Sequence, residues 1–159
     1  MERGVPLAMS KLSFLILLLS LASSALAIEA DGLRELVLAA SSQSNIPKLS
    51  LQETRKLYLG VPVEKNGKTI KPLLNVSESL LFEVFLQKVT FMSSDAYEKQ
   101  VLAIVFRLGG QRPQAFHDRQ TLNAALLEHP DSVTFMWAKD LDQYRGLKPI
   151  NTLWAGSAD

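Results

Sequence analysis

The stretch LLNVSESLLFEVFLQKVTF, Leu73 to Phe91, constrains this chain most, because an apolar strand runs through a polar turn straight into an apolar helix. Leu81, Val84, Phe85 and Val89 repeat at helical spacing along one face of Ser79 to Thr90, and Leu80, Phe82 and Leu86 widen it. So wide an apolar arc is either covered on two sides or meets a partner. The second side, continued by Phe91 and Met92, reads as core in preference to a docking surface for a membrane or envelope protein. The turn itself, Asn75, Ser77, Glu78 and Ser79, has two readings. It is an ordinary helix cap, or an anion site built on the unpaired N–H groups and the positive end of the helix dipole.

Upstream, MERGVPLAMSKLSFLILLLSLASSALA reads as an export signal. Arg3 and Lys11 precede the apolar run Leu12 to Leu21, and Ala25-Leu26-Ala27 supplies an A-x-A cleavage site. The run falls short of the ~20 residues that span a bilayer, so an uncleaved anchor is the less favoured alternative. The mature chain is taken to begin at Ile28, in the periplasm or outside the cell. The 159 residues carry a net charge of +1. Without Glu2, Arg3 and Lys11 the charges balance, which leaves no field for nucleic acid. Cysteine is absent, so the exported domain must rest on its core, and thiolate metal sites and cysteine nucleophiles are excluded. With His117 and His129 as the only histidines, no metal centre or cofactor is implied.

Local signals then give the order of elements. Arg34 to Ala40 is a buried strand ending in the polar loop Ser41-Ser42-Gln43-Ser44-Asn45. Ser50 and Glu53 form a capping box for a helix that runs to about Leu59 and stops at Gly60. Asn66-Gly67 marks a tight turn between strands Val61–Glu64 and Lys68–Leu74. After the central helix, Ser93-Ser94-Asp95 caps a helix with Tyr97, Val101, Ile104, Val105 and Leu108 inward, and Gly109-Gly110 breaks it. Asp118 is the N-cap of a helix over Thr121 to Glu128, Ser132 to Trp137 is a strand, and Leu147 to Leu153 is a weak last strand. Ala155 to Asp159 reads as a frayed tail. Alternating strands and helices predict an α/β fold with a mixed or parallel sheet.

Four stretches in this order carry a resemblance: LSLQETRKLYLG at 49–60, SESLLFEVFLQKVTFMS at 77–93, FRLGGQRP at 106–113 and LLEHPDSVTFMW at 126–137. Together they resemble small exported proteins related to the phosphate-binding receptors of ABC transporters, over roughly Arg34 to Ile150. The resemblance implies a small type 2 periplasmic-binding fold with helices on both faces of a mixed sheet, residues 28–159, as one domain or two small lobes. It also implies a non-catalytic solute-binding function, with a phosphate-like anion held near the first-strand loop and the central helix start. The loop falls on Ser41 and Ser42, and Ser79 takes the serine position of a Ser-Gly-Thr helix opening. Leu80 and Leu81 stand at the glycine and threonine positions, and Asn75 stands where the family has arginine. Glu78 adds a carboxylate beside the expected anion, which weakens capture of phosphate.

The candidate ligand residues are therefore Ser41, Ser42, Ser77 and Ser79, each read first as a cap or loop former and second as a ligand contact. Arg112, and with it Arg107, is a candidate to replace the missing arginine or is a solvated surface residue. His117-Asp118 suggests acid–base chemistry with a serine as nucleophile, but no G-x-S-x-G elbow is present and Asp118 is accounted for as a cap. Trp137 and Trp154 read as packing residues. Asn75-Val76-Ser77 is formally a glycosylation sequon without meaning in a bacterial chain. The alternative function is an accessory or interaction module of the cell envelope that keeps the fold without a solute.

Overall fold

Strand β1, Arg34–Ser41, is apolar on both faces because it ends up in the middle of a covered sheet. The computed structural model describes residues 33–157, and the expected signal segment lies outside them. Helix α1, Leu51–Tyr58, starts at the expected capping box: Ser50 Oγ accepts from Glu53 N at 3.2 Å, and Glu53 accepts from Ser50 N at 2.8 Å. The hairpin of β2, Glu64–Lys65, and β3, Lys68–Thr69, turns at Asn66 and Gly67 with φ of 52° and 75°. Two positive φ values make this a type I′ turn, whose twist matches the strands it joins. The flanking strands are shorter than expected, because Val61–Val63 is irregular and Ile70 separates β3 from β4, Lys71–Asn75.

The central helix is not a single α-helix. Helix α2, Ser79–Phe85, passes into a π-helical turn, Leu86–Thr90, in which Met92 N donates to Leu86 O at 3.1 Å. Thr90 Oγ1 donates to the same carbonyl, and Phe91 closes the turn in the left-handed region at φ 58°. Helix α3, Ser94–Leu108, leads to β5, Gln114–Phe116. Helix α4, Arg119–Glu128, is capped by Asp118 as expected, and β6, Ser132–Trp137, follows. After a 3-10 turn at Ala138–Gln143, β7 covers Leu147–Gly156. Residues read as a frayed tail thus belong to a strand, because Ala155 and Gly156 pair with Glu35 and Arg34.

The five strands lie in the order β5-β4-β6-β1-β7. β4 is parallel to β5 and β6, and β1 is antiparallel to β6 and β7, so the sheet is mixed. On one face α4 packs Leu122 and Leu126 against Val37, Ala39, Leu73 and Met136. On the other, Tyr58 of α1, Phe85 of α2 and Phe135 of β6 form an aromatic cluster, with Phe85 stacked on Phe135 at 3.7 Å. The second apolar side of the central helix is largely covered: Leu86 is buried and the Phe82 ring meets Tyr97 of α3 edge-on. Phe91 remains exposed, beneath the Arg55 guanidinium.

Glu53 couples this architecture to pH. Its carboxyl is held at about 2, below the ordinary 4.5, first by the Lys65 ammonium and then by the Ser50 N–H and hydroxyl. A carboxylate with a lower pKa folded than unfolded stabilises the fold above the unfolded value, and that contribution is lost as pH falls through the folded one. Stability therefore drops between pH 4.5 and about 2. Glu53→Gln, which still accepts the capping bond, flattens that limb relative to the parent in urea-unfolding midpoints measured across the range.

Candidate functional site

The ladder between β4 and β6 is short. Only Lys71↔Ser132 and Pro72↔Val133 pair, and Pro72 has no N–H to continue it. Further along, side chains bridge the two strands. Tyr58 Oη donates toward Leu73 O and Val133 O, Thr134 Oγ1 donates to Leu73 O at 2.9 Å, and Asn75 Nδ2 donates to Phe135 O at 3.1 Å. Burial raises the pKa of the Tyr58 hydroxyl well above its usual value, which keeps it protonated as a donor. Past these bridges the chain leaves β4 toward β5 on one side, and β6 lies on the other. In open α/β sheets this reversal is where a crevice forms, outside the carboxyl ends of the strands.

A crevice of about 490 Å³ occupies that place. Ser77 and Glu78 line it after β4, His117, Asp118 and Arg119 after β5, and Trp137, Asp140 and Tyr144 at and beyond the end of β6. Leu81 and Met136 form its apolar wall. Trp137 is 1 % exposed, and its indole N–H donates to Glu78 Oε2 at 3.2 Å, which fixes that carboxylate over the end of β6. Asp118 accepts from Thr121 N at 2.8 Å and from Thr121 Oγ1 at 2.6 Å, and these bonds lower its pKa. The Arg119 guanidinium lies over the Tyr144 ring and donates to Gln143 Oε1.

The expected ligand residues do not all meet here. Ser77 lines the crevice, and Ser79 begins α2 beside it. Neither caps the helix. Its N-cap is Glu78, which makes no side-chain capping bond. Ser77 N and Oγ both donate to Asn75 Oδ1, at 3.2 and 2.7 Å, in a turn closed by a fully buried asparagine. That asparagine, at the position where the resemblance expected arginine, is a structural tie between β4, β6 and the turn.

Ser41 and Ser42 lie at the opposite end of the sheet. Ala40 pairs with Val133, which also pairs with Pro72 at the start of β4, and β1 runs antiparallel to β6 while β4 runs parallel to it. Ser41 is buried at the end of β1 and its Oγ accepts from Gln43 N. Arg112 precedes β5, whose Gln114 pairs with Leu73, and it is ion-paired with Glu98 of α3. Arg119, Asp140 and Tyr144 were not legible as site residues. The only signal in the sequence was the position of Arg119 immediately after a helix cap.

Comparison with solved structures follows the same topology. The chain superposes on PstS from Borrelia burgdorferi with a TM-score of 0.55 at 11% identity, covering 76% of this chain and 47% of that one. An ABC-type phosphate transport receptor from Vibrio cholerae matches with a TM-score of 0.54 at 11% identity, again over 76% of this chain and 47% of the receptor. The fold is that of the phosphate-transport receptors. The chain spans about half the length of these structures. No protein-family model and no curated protein matches the sequence. Among the described residues no helix is long and apolar enough to cross a membrane, and no group of metal-ligating side chains comes together.

Proposed function

We propose that this chain is an exported, non-catalytic solute-binding protein of the periplasmic-receptor type, which takes its solute in the crevice beyond the carboxyl ends of β4, β5 and β6. The observation that carries this reading is the crevice itself, open at the strand-order reversal and large enough for a small molecule. The Vibrio cholerae neighbour is a phosphate transport receptor, which makes a phosphate-like oxyanion the first solute to consider. In this chain its donors would be the Arg119 guanidinium, His117 and Ser79 at the start of α2, with Arg119 supplying the charge that Asn75 does not.

Thermal unfolding against phosphate, sulfate, phosphonates, carboxylates and amino acids tests the proposal. A solute at a hundred times its dissociation constant adds about 2.7 kcal/mol of stability, a plain rise in Tm. Arg119→Ala should abolish the rise for an anionic solute and leave the unliganded Tm almost unchanged. A flat response across the panel from well-folded protein would overturn the reading.

A further inference from the structure

We infer that the solute is a zwitterion, one small molecule with an oxyanion group at one end and an ammonium group at the other. This rests on the solute-binding reading of the same crevice. A volume of about 490 Å³ is within the range of roughly 300–1,000 Å³ that encloses whole organic molecules, and leaves space beside a lone tetrahedral anion.

The charges in the crevice are of both signs and are not neutralised by each other. Among the described residues the ion pairs are Lys65–Glu53, Lys68–Asp131 and Arg112–Glu98; none involves Arg119, Glu78 or Asp140. Gln143 stands between Arg119 and Asp140. Its amide oxygen accepts from the guanidinium, and its Nε2 donates to Asp140 Oδ1 at 3.2 Å. The guanidinium keeps most of its five donors for an oxyanion. Of the three carboxylates lining the crevice, Asp118 spends both oxygens on Thr121, Glu78 spends Oε2 on Trp137 and Asp140 spends Oδ1 on Gln143, so Glu78 and Asp140 each have one oxygen outside these bonds. Two carboxylates facing a bare oxyanion repel it, but they complete the shell of an ammonium group attached to it.

Calorimetric titration of the full chain with matched ligands tests this: 2-aminoethylphosphonate against ethylphosphonate, and β-alanine against propionate. In at least one pair the amino compound should bind tighter by about tenfold, the worth of one charge-assisted hydrogen-bond set. Glu78→Gln should erase that preference while leaving the affinity for the amine-free partner level or improved. The substitution keeps an acceptor for Trp137 Nε1, and Asp140→Asn, which keeps one for Gln143, provides the same test should the first variant fold poorly. Equal or weaker binding of the amino compounds, with ethylphosphonate, propionate or phosphate still bound, would overturn the zwitterion and leave the solute-binding reading standing. No binding of any ligand to folded protein would overturn both.

Discussion

Alanine at position 85 is expected to destabilise the fold by about 4 kcal/mol, as for other buried phenylalanines cut back to a methyl group. Phe85 has no solvent exposure, its ring is stacked on Phe135 at 3.7 Å, and the Tyr58 ring meets it edge-on at 4.8 Å. Collapse around the cavity is hindered on both sides. Tyr58 is fixed by its hydroxyl to the Leu73 and Val133 carbonyls, and Phe85 is the last residue before the π-helical turn. In a domain of this size the loss lowers Tm by more than about 10 °C. It also reaches the crevice, because Phe135 lies two residues before Trp137, which orients Glu78. Phe85→Leu should recover most of the stability. A Phe85→Ala variant that melts within a few degrees of the parent would show that the aromatic cluster is not the centre of this core.

Gly110→Ala should be nearly as damaging, by about 3 kcal/mol, through overpacking against atoms that cannot move aside. A Cβ there would stand 2.1 Å from the carbonyl oxygen of Gly60, which is backbone. Gly60 is itself at φ +90° and close to Gln111 O, so two glycines meet back to back and join the end of α1 to the loop between α3 and β5. Separating them moves β5, and with it His117 and Arg119 at the edge of the crevice. Gly109→Ala is the control. Its φ of +65° is unfavourable for alanine but the space is open, which limits the cost to about 1–2 kcal/mol. Urea unfolding of the two variants should therefore rank Gly110→Ala as clearly the less stable, and the reverse order would refute the close approach.

The sequence by itself determined those features whose partners lie within a few residues. Ser50 with Glu53, the Asn66-Gly67 turn and Asp118 with Thr121 were readable because a cap or turn satisfies its backbone groups locally. The mixed α/β class followed from the alternation of those elements. Tertiary structure decided which residues share the crevice. Reversal of β1 against β6 carries Ser41 and Ser42 to the far end of the sheet, and pairing of Ala155 and Gly156 with β1 turns an apparent tail into strand. Asn75 became a tie between strands, while Arg119 at the start of α4 met Asp140 and Tyr144 from the distant turn after β6. The direction of a strand and the neighbours of a turn are set by long-range pairing and burial. A run of apolar residues such as RELVLAA satisfies either direction equally, so only packing the whole sheet selects one.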